Sequence, residues 1–148
     1  MQVLLNNYYI QGESRGCNTE KVLEFIPGKT AWVSTASLDG VPNATPKGSV
    51  RVIDDEHIVF ADLFSLKTRA NLQENPHVAV TVIDTQSGQG YQIKGTAERI
   101  ADSPLFDQMV EAIKKAPRAM PPLKSVVRIT VDAVYDQSVG PDTGKQIV

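Results

Sequence analysis

Apolar residues along this chain fall into short runs of strand period, separated by glycine, proline and acidic turns, with helical spacing in three places. Ala31-Trp32-Val33-Ser34-Thr35-Ala36 is the first strand expected, and Asp39-Gly40 supplies a hairpin turn before a second strand from Asn43 to Val52. In that second strand Val50 and Val52 fall on one face and Ser49 and Arg51 on the other. Pro42 and Pro46 there predict an edge, a bulge or an irregular opening. Asp54-Asp55-Glu56 turns the chain into a third strand near His57 to Ala61, completing a meander of three. Further strands are expected at Val78 to Ile83, at Tyr91 to Ala97 after the flexible Gln86-Ser87-Gly88-Gln89-Gly90, and at Val126 to Val131.

Helical spacing occurs first at Glu20 to Ile26, where Val22, Leu23 and Ile26 share a side and Pro27-Gly28 ends the run. The second helix is expected near Leu66 to Glu74, stopped by Pro76. The third starts at Ser103-Pro104 and buries Leu105, Phe106, Met109, Val110 and Ile113, with Lys114-Lys115 at its negative end. Pro117, Pro121 and Pro122 enforce a non-helical linker before the last strand.

This order predicts a mainly β fold, a six-stranded antiparallel barrel with peripheral helices, because repeated βαβ units would need regular alternation of strand and helix. The chain divides into an N-terminal arm and short helix (1–27), a barrel core (28–136) and a turn-rich tail (137–148). In the arm, Val3-Leu4-Leu5 and Tyr8-Tyr9-Ile10 are apolar clusters suited to packing on a partner.

At 148 residues, 41% hydrophobic and 22% charged, one domain has enough core to fold without a metal or disulfide. The net charge of −2 and the lack of a basic face or arginine-rich tail argue against nucleic acid. No segment is long and apolar enough to span a membrane and the first residues lack a signal-peptide pattern, so a cytoplasmic setting is the expectation. Cys17 is the only cysteine, so an intrachain disulfide is excluded. His57 and His77 flank strands without metal-ligand spacing, and no Gly-x-Ser-x-Gly elbow is present.

The chemistry concentrates in Ser65-Leu66-Lys67-Thr68-Arg69-Ala70-Asn71-Leu72, directly after the apolar run Ile58-Val59-Phe60-Ala61. Unpaired amides at a helix start favour an anion, and Lys67, Thr68 and Arg69 add donors for a phosphate. A solvated first turn capped by Ser65 accounts for the same residues. Asp62 is assigned to helix entry or turn solvation, with a role in a site after the third strand as the alternative. Thr45, Pro46, Lys47 and Ser49 are spaced to line a barrel mouth, where Lys47 approaches an electron-rich carbonyl or ring nitrogen; edge-strand protection is the alternative for Lys47 and an ordinary sheet position for Thr45. Trp32 and Tyr91 serve either an aromatic ligand, a core or a dimer contact.

The runs Gly40-Val41-Pro42-Asn43-Ala44-Thr45-Pro46-Lys47-Gly48 and Ile58 through Leu72 resemble the flavin-binding split-barrel family related to pyridoxamine 5'-phosphate oxidase, especially its small FMN-binding proteins. Gly90 to Ala97 and Val126 to Val131 fit the same organisation, so the resemblance covers residues 28 to about 135. It implies a six-stranded split barrel, a homodimer, and FMN near the subunit interface. By the same resemblance Lys67 and Thr68 hold the FMN phosphate, with Ser49 adding a hydroxyl. Thr45, Pro46 and Lys47 line the ring, Leu63 and Phe64 give backbone or van der Waals contacts, and Pro121-Pro122-Leu123 approach the flavin of the partner chain.

The implied function is an FMN-binding oxidoreductase or electron-transfer protein that passes reducing equivalents from a reduced nicotinamide or a redox protein to a small acceptor. A flavin-binding sensing or interaction module without turnover is the alternative. The C-terminal substrate cluster of pyridoxamine 5'-phosphate oxidase itself has no counterpart in this sequence, and related families use a deazaflavin or haem.

Overall fold

A computed structural model describes residues 17–148, so the expectation for the apolar clusters at residues 3–10 lies outside the described residues. The elements run α1 (Cys17–Phe25), β1 (Ala31–Ala36), β2 (Pro42–Lys47), β3 (Arg51–Val52), β4 (His57–Asp62), α2 (Leu66–Glu74), β5 (His77–Asp84), β6 (Gln89–Ile100), α3 (Pro104–Lys114) and β7 (Ser125–Asp136). All strand pairs are antiparallel, in one sheet ordered β2-β1-β5-β6-β7-β4-β3.

The mainly β class and the peripheral helices are as expected, but the sheet has seven strands rather than six. The single strand expected from Asn43 to Val52 is broken at Gly48-Ser49-Val50. Its first half pairs with β1 and its second with β4, so the expected three-strand meander is two separate hairpins. Since β2 and β3 are the two ends of the strand order, three residues join opposite edges of the sheet. A span that short forces the sheet to curl into a half-barrel whose edges approach each other. Pro42 and Pro46 are tolerated because β2 pairs on one side only. Gly40, at φ +80, supplies the turn between β1 and β2 and donates its amide to the Ser37 carbonyl at 2.9 Å.

The inner face gathers Val33, Ile58, Phe60, Val80, Ile93 and Ile129, closed at one end by Val22 and Ile26. Phe25 meets Tyr91 edge-on, with ring centroids 5.2 Å apart, so Tyr91 belongs to the core. A second cluster lies on the other side of β4 and β7, where Met109 of α3 covers Val59, Ala61 and Val126. Burial on both faces explains why β4 reads as a continuous apolar run. Ser103 caps α3 by accepting from the Phe106 amide at 3.1 Å, and Pro104 occupies the first turn.

Candidate functional site

Three pieces of chain converge at the start of α2: the inward-facing residues of β2, the end of β4, and the first helical turn. On β2 the alternation places Asn43, Thr45 and Lys47 on one half-buried face. Lys47 Nζ donates to Ser65 Oγ and stands 5.4 Å from the centre of the Phe60 ring. Burial pulls the Lys47 ammonium below the ordinary lysine range and Arg69 adds to this, while Asp62 opposes it.

Ser65 is the N-cap residue of α2, but its side chain makes no capping bond. Among the described residues the amides of Lys67 and Thr68, the second and third of the helix, have no hydrogen-bond partner. The capping alternative therefore holds for the position of Ser65 and fails for its hydroxyl. Lys67 is exposed and forms no ion pair among the described residues. Thr68 is 2% exposed, and its Oγ1 accepts from Asn43 Nδ2 at 3.2 Å.

Asp62 is not a solvated turn residue. It is 1% exposed and receives Arg69 Nε at 2.8 Å and Arg69 Nη2 at 3.0 Å, a two-pronged ion pair. Ser125 Oγ donates to it at 3.2 Å and the Ser65 amide at 3.4 Å; Arg99 Nε in turn donates to Ser125 Oγ at 3.2 Å. Burial alone would raise the Asp62 pKa, but the hydrogen bonds and charge of Arg69, with Ser125 and the Ser65 amide, outweigh it and hold the carboxyl below its ordinary value. Arg69 is thereby committed inward and does not stand free for a phosphate.

Asparagines tie α2 to the first hairpin. Asn71 Nδ2 donates to Thr35 Oγ1 at 3.0 Å and Asn75 Nδ2 to the Ala36 carbonyl at 3.2 Å, while Asn43 bridges Thr35 and Thr68. Sequence reasoning missed Asn43, Thr35, Asn71 and the Asp62–Arg69 pair. The available signal was Asn71 and Asn75 at a spacing of four, one face of a helix.

The other expected residues are divided between this place, the outward face of β2 and the side of α3. Ser49 Oγ accepts from the Ala61 amide at 3.0 Å, which pins the β2–β3 crossing to β4. Leu63 is half-buried, and Phe64 is 75% exposed. Pro46 is exposed on the outward face of β2, opposite Trp32, itself 48% exposed. Pro121 and Leu123 are half-buried and Pro122 exposed, beside α3 in an apolar groove of about 650 Å³ bordered by Lys114 and Arg118. His57 Nδ1 pairs with Asp54 at 2.8 Å on the surface, and the described residues contain no group of three metal-ligating side chains.

Residues 19–138 match the sequence profile of the pyridoxamine 5'-phosphate oxidase family. The chain belongs to this family. An uncharacterized protein of Methanocaldococcus jannaschii is 34% identical over 131 residues, covering 87% of each chain. The crystal structure of HupZ from Group A Streptococcus superposes with a TM-score of 0.73 at 25% identity, over 84% of this chain and 98% of that one. An FMN-binding protein of Syntrophomonas wolfei has a TM-score of 0.71 at 18% identity, over 83% and 90% respectively, a likeness of fold. The split-barrel resemblance read from the sequence is thus correct at the level of family. No helix among the described residues is long and apolar enough to cross a membrane.

Proposed function

We propose that this chain binds FMN, with the phosphate at the start of α2, and works as an FMN-dependent oxidoreductase or electron-transfer protein. The observation that carries the reading is the donor set at that helix start: two amides without a partner among the described residues, the Lys47 ammonium held at the N-cap hydroxyl, and the exposed Lys67 on the first turn. Every one of these groups donates, and a phosphate accepts. The family of the chain supports the same reading, since FMN-binding proteins share this fold.

In this reading Lys67 and the Lys67 and Thr68 amides hold the phosphate, Thr45 faces the ring, and Leu63 and Phe64 shield it, while Pro46, which the resemblance also placed at the ring, points to the opposite face of β2. Lys47 shifts from the ring to the phosphate side, because its ammonium is held at Ser65. Ser49 accepts from the Ala61 amide and keeps its own proton to donate. A second copy packs on the outward face of β1 and β2, where Trp32 and Pro46 are exposed, and brings its Pro121-Pro122-Leu123 segment toward the flavin. Bound FMN supplies the electron and hydride chemistry that side chains lack, with a reduced nicotinamide or a redox protein as donor.

Lys67→Ala is the direct test. Its side chain is exposed and forms no hydrogen bond or ion pair among the described residues, so stability should change by less than about 0.5 kcal/mol. Loss of a charge-assisted bond should weaken FMN about tenfold, read by absorbance titration of the stripped protein. An unchanged affinity would remove the phosphate from this helix. Oxidation of reduced nicotinamide that depends on added FMN would support turnover. FMN-dependent change in partner binding without turnover would favour the sensing alternative, motivated by the exposed Trp32.

A further inference from the structure

The N-cap hydroxyl of α2 and the nearest carboxylate before it are both engaged away from the open amides. A serine at the N-cap ordinarily accepts from the second or third helical amide, here those of Lys67 and Thr68. Ser65 Oγ instead accepts from Lys47 Nζ and caps nothing. The carboxylate of Asp62, three residues earlier, reaches only the Ser65 amide, at 3.4 Å, and both its oxygens are taken by Arg69. An ordinary cap would have spent the very donors that an anion needs.

Lys47 points the same way from a different strand. Its ammonium is half-buried above Phe60 and has one hydrogen-bond acceptor among the described residues, the Ser65 hydroxyl. A lysine carries three N–H donors, so two remain for a ligand. A partly desolvated ammonium is stabilised by an anion that accepts them.

Resting on the FMN reading above, we propose that Ser65 is the positioning residue that gives this site its preference for a phosphorylated flavin. It withholds its oxygen from the helix, which leaves two amides open, and it holds the Lys47 ammonium beside them. Riboflavin has the same ring and side chain without the phosphate and gains nothing from either effect. Ser65 thus sets the ratio of FMN to riboflavin affinity rather than affinity for the ring.

The experiment measures FMN and riboflavin affinities of the cofactor-stripped full chain by fluorescence titration, for wild type and three variants. Ser65→Ala frees Lys47 and should lower the FMN-to-riboflavin ratio about tenfold while leaving riboflavin affinity unchanged. Ser65→Thr keeps the hydroxyl and should restore the ratio. Ser65→Asp offers its own carboxylate to the Lys67 and Thr68 amides and to Lys47, so the ratio should fall further, toward one. The same variant should melt roughly 2–4 °C higher, because a missing cap has been supplied.

If Ser65→Asp does not fold, the alanine and threonine pair decides. Equal loss of both flavins in Ser65→Ala would mark a merely structural role and overturn the proposal, as would a ratio that Ser65→Ala leaves intact. A wild-type ratio near one would instead sink the FMN phosphate reading itself.

Discussion

Gly95→Ala is expected to destabilise the protein by about 3 kcal/mol or more, at the upper end of what overpacking a core costs. A Cβ built at Gly95 lies 2.2 Å from the Thr130 carbonyl oxygen and 2.7 Å from Ile129 Cγ2. The first is backbone and the second belongs to a fully buried side chain, so neither can swing aside. Gly95 also marks the irregularity where β6 and β7 change register: Lys94 faces Ala133 while Gly95 faces Val131, leaving Asp132 as the extra residue of a bulge. The two strands must separate to admit a methyl group, in the longest pairing of the sheet. Chemical denaturation reads the effect as a lower midpoint with an unchanged slope. Gly48→Ala is the control, since nothing lies within 4 Å of its Cβ position, and should be near neutral. A Gly95→Ala protein within about 1 kcal/mol of wild type would contradict the close approach of β6 and β7.

Asp62→Asn should cost a similar amount, about 3 kcal/mol, because it leaves the Arg69 guanidinium in a largely enclosed position without its counter-charge. The pH dependence follows from the lowered carboxyl pKa. In the unfolded chain Asp62 binds its proton near pH 4, and in the fold only at lower pH, so the fold favours the ionised form. Its stabilisation is complete above the unfolded value and is lost as the pH falls through the folded value. The gap between wild type and Asp62→Asn, measured by denaturation, should therefore be constant near neutrality and narrow below about pH 4. A gap that widens on acidification would contradict the ion pair. Because Asp62 also orders the amide of Ser65, the variant should weaken FMN as well, even where it remains folded.

What could be read along the chain was what neighbouring residues decide. β1 and α2 lie where the pattern placed them, because Pro76 and the alternation around Val33 are local signals. The split of the second strand was not legible. Gly48 gave a hint, but the partners of β2 and β3 are set by how the sheet closes on itself, a property of the whole fold. The last strand reaches Asp136, five residues beyond its expected end. The bulge at Asp132 shifts the period of two by one residue, so the alternation that ends at Val131 resumes out of phase. The tail contains its expected turns, yet Ile147 and Val148 fold back onto Val134 through backbone bonds.

The site shows the same division. Lys67 and Thr68 were legible because donors and a helix start are adjacent in sequence. The Asn43–Thr68 and Lys47–Ser65 contacts link residues 25 and 18 positions apart, and only the folded hairpin brings them together. Asp62 read as a turn residue because an acid after a strand is ordinarily solvated. Its burial depends on Arg69 seven residues on and on Ser125, 63 residues on but directly opposite on the neighbouring strand, neither of which any local pattern announces.

The most direct test of the account is a titration of the cofactor-stripped protein with FMN, followed by absorbance. Saturable perturbation of the flavin spectrum at close to one FMN per chain is the expected result, whereas no spectral change at saturating FMN would contradict the central claim that this chain is an FMN-binding protein.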